Sequence, residues 1–141
     1  KIHQIVKKMK LFGIRDRIRD PRLITPFSFV HFLSGIWLTS LFRTIFPRMK
    51  DVFWVTLAIH TLYELKDIYV SYVIKYVSDK TDNSVYNSIG DTIAFILGYV
   101  AYKYYPTDLT TISIVFAVTA CIFWIPYFIP MEKLYAFYRL S

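Results

Sequence analysis

One uncharged run constrains this chain more than any other feature. Residues 109–130 contain no Asp, Glu, Lys or Arg. About 20 predominantly apolar residues are enough for a helix to cross the ~30 Å hydrocarbon core of a bilayer. Three earlier stretches, residues 27–42, 52–77 and 83–104, are also rich in apolar residues. The sequence therefore predicts an all-α fold, a polytopic membrane helical bundle of about four spans that is integral to a membrane.

Composition favours the same interpretation. Hydrophobic residues make up 55% of the chain and aromatic residues 19%, with twelve Phe, twelve Tyr and three Trp. That is more aromatic surface than one small core can hide, whereas aromatic rings collect at membrane–water interfaces. We expect a single transmembrane domain over residues 27–130 and a short interfacial tail over residues 131–141.

The first 22 residues have a different character, with eight Lys or Arg against two Asp. Their apolar residues recur at helical spacing, which predicts a basic amphipathic helix lying on an anionic leaflet. A solvated basic tail that only sets orientation is the alternative. Nucleic-acid binding is a third interpretation, but no recognition motif accompanies the charge. We therefore expect membrane lipids as partners, and no nucleic acid.

The positive charges leave the topology open. A basic start places the N-terminus in the cytoplasm, and four spans would then put Arg43, Arg48 and Lys50 on the far side. This conflicts with the tendency of Lys and Arg to stay on the cytoplasmic side. Either the first apolar segment is re-entrant, or the N-terminal helix dominates the orientation.

Polar residues recur at helical spacing inside the apolar segments. Residues four apart share a helical face, as His60 and Glu64 do, and as Asn87 and Asp91 do. Ionisable groups in lipid are costly and normally face a protein interior or a wet cavity. We therefore expect one shared polar site, formed by His31, His60, Glu64, Asp67, Asn87 and Asp91.

This residue set fits two kinds of chemistry. Imidazoles, carboxylates and an amide could bind a divalent metal. Alternatively, Glu64 or Asp91 could act with His60 as general acids and bases on a lipid head group, with His31, Asn87 and Ser88 binding the ligand.

Several residues in and around this set also have a purely structural interpretation. Asn83 could cap the third helix. Asn87, Ser88 and Gly98 could hold helices together. Lys66 could pair with a carboxylate and leave no chemistry.

Three sequence runs, PFSFVHFLSGIW, HTLYELKDIY and DNSVYNSIGDTIAFILGY, resemble VanZ-like membrane proteins. They are most similar to a small bacterial branch with an NSxxNSxGD-type motif. The positions that match its marked residues are His31, Gly35, Glu64, Asn83, Ser84, Asn87, Ser88, Asp91, Leu97 and Gly98. The chain departs from the family where Lys66, Asp67 and Lys75 occupy a region that often holds Gln and Arg. The resemblance implies a fold and a polar site more than a reaction.

Two functions remain open from the sequence. The first is a VanZ-like membrane protein whose intramembrane polar pocket binds a lipid-linked polar head group and could modify it. The second is a non-catalytic structural or accessory subunit of a larger membrane assembly, such as a respiratory complex or an enveloped particle. An open pocket lined by the polar residues favours the first, and a closed, fully paired cluster favours the second.

Overall fold

The computed structural model of the chain describes residues 10–13, 21–74 and 84–128. Its main elements are four helices, and a π-helical turn, Val70–Ile74, continues the second of them. The helices are α1, α2, α3 and α4, with bounds Pro26–Ile45, Val52–Tyr69, Val85–Tyr104 and Leu109–Phe128. The four apolar segments of the sequence thus form helices over most of their predicted lengths.

The predicted membrane bundle is wrong. None of the helices in the described ranges is both long enough and apolar enough to cross a membrane. Ionisable and amide side chains lie within three of the helices: Glu64 and Lys66 in α2, Asn87 and Asp91 in α3, and Arg43 near the end of α1. Three of the helices are also shorter than the sequence segments, since α2 has 18 residues and α3 and α4 have 20 each. The prediction of an integral membrane location, with its spans and re-entrant segment, is corrected accordingly.

The predicted N-terminal helix is also wrong where the structure describes it. Lys10–Phe12 form a short strand, β1, that pairs in parallel with β2, Arg22–Ile24. The backbone N–H of Lys10 donates to the carbonyl of Pro21, and that of Gly13 donates to the carbonyl of Ile24. The rest of the predicted helix, residues 1–9 and 14–20, lies outside the described residues, as does the predicted interfacial tail at 131–141.

The N-terminal cap of helix α3 is Ser84, the residue that follows the predicted cap Asn83. Ser84 has extended backbone, and its side chain accepts the N–H of Asn87 at 3.1 Å. A serine at this position satisfies one of the amide groups that the first helical turn leaves free. The alternative cap, Asn83, lies outside the described residues.

Helices α1 and α3 pack most closely, and two glycines permit it. A side chain at Gly35 would collide with the backbone carbonyl of Phe95, and one at Gly98 with that of Phe32. Helix α2 packs against both α1 and α3, α4 packs against α1, and β2 packs against α3. Polar faces of three helices therefore meet in one interior.

That interior is unusually polar. Among the described residues, the buried apolar side chains are Leu33, Val52, Phe95 and Ile112, and buried polar ones outnumber them. Burying polar groups is costly unless they find partners. The hydrogen bonds and ion pairs of these buried polar side chains are therefore the main clue to function.

Candidate metal centre

Three side chains from two helices converge at the centre of the interior. Helix α1 supplies His31, and α2 supplies His60 and Glu64 one turn apart. One nitrogen or oxygen from each residue lies within 4.8 Å of the other two. Oxygen Oε1 of Glu64 is 3.4 Å from His31 Nδ1 and 3.9 Å from His60 Nε2. These three residues, His31, His60 and Glu64, are called the ligand cluster below.

The rings are held in place by stacking. The ring of His60 stacks on Phe95, with centroids 4.3 Å apart and planes 9° from parallel. His31 meets His60 edge to face at 5.3 Å. Phe95 is itself almost fully buried. The imidazoles therefore have defined positions before any ligand arrives.

Burial also sets the protonation of the rings. It lowers the pKa of His60 to about 4. Burial, reinforced by the neighbouring His60, lowers the pKa of His31 to about 3. Both imidazoles are therefore neutral at pH 7, and each keeps one nitrogen lone pair, which is the form that binds a metal.

The ring nitrogen Nε2 of His60 is buried in an unusual environment. Within the described ranges, its Nε2 has no hydrogen-bond partner, although its side chain is only 3% exposed. A buried polar atom left without a partner is costly and rare in native structures. A bound cation at this position would supply the missing interaction.

A second carboxylate lies behind His31. Oxygen Oδ2 of Asp91, on α3, is 3.6 Å from His31 Nε2, on the ring edge opposite Glu64. The other oxygen, Oδ1, accepts the hydroxyl hydrogen of Ser28 at 2.5 Å. Ser28 accepts in turn the backbone N–H of Thr25 at 3.1 Å. His31 thus has a carboxylate oxygen near each of its ring nitrogens.

The other predicted site residues lie elsewhere. The amide of Asn87 donates to the carbonyl of Leu23 at 3.2 Å, so it joins α3 to β2. The carbonyl of Ser88 accepts the hydroxyl of Thr92. Asp67 pairs with Lys66 at 2.7 Å on the partly exposed side of α2. The structure therefore brings together four of the predicted residues, His31, His60, Glu64 and Asp91.

Sequence reasoning missed two members of this arrangement. Ser28 lies three residues before His31 and therefore shares its helical face. Phe95 lies four residues after Asp91 on the face that packs against α2. Both residues lie at helical spacing from a predicted site residue, but serine and phenylalanine are too common for spacing alone to identify them.

Comparison with known proteins adds no further constraint, because no family model, curated protein or solved structure matches this chain. The VanZ-like resemblance stays a prediction.

Proposed function

We propose that this protein binds a divalent transition metal, with zinc as the first candidate, through His31, His60 and Glu64. The observation that carries the proposal is the convergence of these three side chains within 4.8 Å in a buried interior. Two imidazoles and a carboxylate form a common ligand set for zinc and for other first-row metals.

The spacing of the ligand atoms suits a tetrahedral ion. Two ligand atoms that each lie 2.0–2.1 Å from zinc at the tetrahedral angle are about 3.4 Å apart. The separation of His31 Nδ1 and Glu64 Oε1 is 3.4 Å, and that of His60 Nε2 and Glu64 Oε1 is 3.9 Å. Those two separations are within about half an ångström of the tetrahedral value, and all three ligand atoms lie within 4.8 Å of one another, so the two imidazoles would also have to approach each other to hold the ion. Octahedral Mg²⁺, which prefers oxygen ligands, fits the site poorly.

Three protein ligands leave one tetrahedral position open. Zinc sites with three protein ligands and a water are the catalytic type, whereas purely structural sites have four. His31 is the most exposed member of the ligand cluster, with 16% of its side chain accessible, and Tyr63 lies beside its ring. We place the open position and the entry path on this side, where water or a polar oxygen ligand would bind.

Zinc titration of the purified chain tests this proposal. Wild-type protein should bind one zinc per chain, whereas H60A or E64Q should lower the affinity at least tenfold, since H60A removes a ligand and E64Q replaces a charged carboxylate ligand with a neutral amide. The change H3Q removes the third histidine of the chain and serves as the matched control. Binding of wild-type strength in H60A, or an equal loss in H3Q, would contradict the assignment.

A second candidate function rests on a separate observation. Large apolar side chains are exposed on the outer faces of α2 and α3, among them Trp54, Leu62, Ile89 and Leu97. Exposed apolar side chains mark an interaction site when they form one contiguous surface. Such a surface favours an accessory subunit of a larger assembly, in which a metal would have a structural role. Co-purification of a stoichiometric partner that the change L62E releases would support it, and a monodisperse monomer with full zinc binding would count against it.

A further inference from the structure

The geometry points to Asp91 as a positioning residue that, held by Ser28, selects the ring tautomer of His31 needed for metal binding. This inference rests on the proposed function, and it adds a residue from a third helix and the mechanism by which that residue acts.

Metal binding by His31 depends on which of its two ring nitrogens carries the hydrogen. A neutral imidazole carries one hydrogen, on either Nδ1 or Nε2, and only the bare nitrogen can bind a metal. Nδ1 is the nitrogen that lies 3.4 Å from Glu64, inside the ligand cluster. Metal binding therefore requires the hydrogen of His31 to be on Nε2.

Two carboxylates compete for that hydrogen. Glu64 Oε1 would accept it from Nδ1, which blocks the site, and Asp91 Oδ2 would accept it from Nε2, which opens the site. The 3.6 Å separation of Nε2 and Oδ2 needs a small ring adjustment to become a hydrogen bond. Metal-binding histidines commonly donate their second N–H to a carboxylate, which fixes the ring and raises the basicity of the bound nitrogen.

Ser28 fixes the orientation of the Asp91 carboxylate. Its oxygen already accepts the Thr25 N–H, so its own hydrogen is directed to Asp91 Oδ1. The carboxylate is thereby held with Oδ2 towards His31. An asparagine at position 91 would meet the same donor, so its carbonyl would face Ser28 and its NH₂ group would face His31 Nε2. That NH₂ group would force the hydrogen of His31 onto Nδ1.

The first measurement uses metal-free protein. Nitrogen-15 NMR of the histidine rings at neutral pH reports which ring nitrogen carries hydrogen. We expect D91N to shift His31 towards the Nδ1–H form relative to wild type, and the control D67N, a partly exposed carboxylate on α2 that pairs with Lys66, to leave it unchanged. An unaltered His31 spectrum in folded D91N would overturn the inference. This readout needs no zinc, so it stays decisive even if the metal proposal fails.

The second measurement is the zinc affinity of the same variants. Loss of such an outer partner typically costs 10–100-fold in metal affinity, and we expect D91N to fall in that range. The change S28A should weaken binding less, and S28A combined with D91N should bind better than D91N alone, because the amide can then rotate. The control is S34A. The Ser34 hydroxyl lies on the same helix but donates to the His31 carbonyl rather than to Asp91. Equal zinc affinity in D91N and wild type, or no rescue in the double variant, would contradict the selection mechanism.

Discussion

At the scale of single residues, the two buried imidazoles dominate the behaviour of the site. Each is neutral at pH 7 because burial penalises its charged form. Glu64 and Asp91 lie on either side of His31, and Tyr63 is the nearby ionisable group at the more exposed edge. Protonation of either ring would both remove a metal ligand and place a charge in the interior.

Acid should therefore destabilise the metal-free protein. Each imidazole titrates near 6.5 in the unfolded chain and near 3 or 4 in the folded one. The unfolded state then binds more protons below pH 6.5, so stability falls as the pH falls through that window. At about 1.4 kcal/mol per pKa unit, the loss between about pH 7 and about pH 5 is about 2 kcal/mol for each ring.

Urea unfolding at several pH values measures this slope. The double variant H31Q/H60Q should lose most of it, because the two rings no longer titrate, while the carboxylates stay in place. The control H3Q should keep the wild-type slope. A wild-type stability that does not change between about pH 7 and about pH 5 would show that the rings are not buried as neutral groups.

Residue spacing predicted part of this site. The four-residue intervals between His60 and Glu64 and between Asn87 and Asp91 placed polar side chains on common helical faces. The cost of burying them then favoured convergence, and the structure does place His31, His60, Glu64 and Asp91 together. The spacing predicted Asn87 as a site residue on the same grounds as the others. Its amide instead donates to a carbonyl of β2, a strand that no pattern in the sequence predicted.

At the scale of elements, the close approach of α1 and α3 positions the site. His31 on α1 and Asp91 on α3 can face each other because Gly35 and Gly98 let the two backbones touch. A wider separation would move Asp91 away from the imidazole that it is proposed to orient.

The change G98A tests the close approach of α1 and α3, because the sign of its effect on stability depends on whether the helices touch. In an exposed helix, alanine is about 1 kcal/mol more favourable than glycine. At position 98 the new methyl group would collide with the Phe32 carbonyl, so we expect net destabilisation of at least about 1 kcal/mol. Thermal and urea unfolding measure it, with A94G on the same helix as the control for helix propensity. A stabilised G98A would mean that the helices are not in contact there.

The helices were predictable, but the N-terminal strands were not. Apolar runs, prolines and polar breaks fixed where α1 and α4 begin to within a few residues. In the basic segment, apolar residues at helical spacing predicted a helix, yet Lys10–Phe12 pair with Arg22–Ile24. A strand of three residues is too short to leave a period in the sequence, and each of its residues pairs with one twelve positions further along the chain.

At the scale of the whole molecule, the prediction of membrane-spanning helices was wrong. Long apolar segments and abundant aromatic residues predicted a membrane bundle, but no helix in the described ranges is long and apolar enough to cross a membrane. The same polar residues that interrupt those helices form the interior. One chain of contacts, from Ser28 through Asp91 and His31 to Glu64 and His60, links α1, α3 and α2. A metal at its end would tie α1 to α2.

The most direct test is to locate the metal. Crystals of the zinc-loaded protein, measured on both sides of the zinc absorption edge, should show one anomalous peak between α1 and α2. We predict that the peak lies about 2.0–2.2 Å from His31 Nδ1, His60 Nε2 and a Glu64 oxygen. No peak among these three side chains under saturating zinc, or a single peak elsewhere on the molecule, would contradict the account.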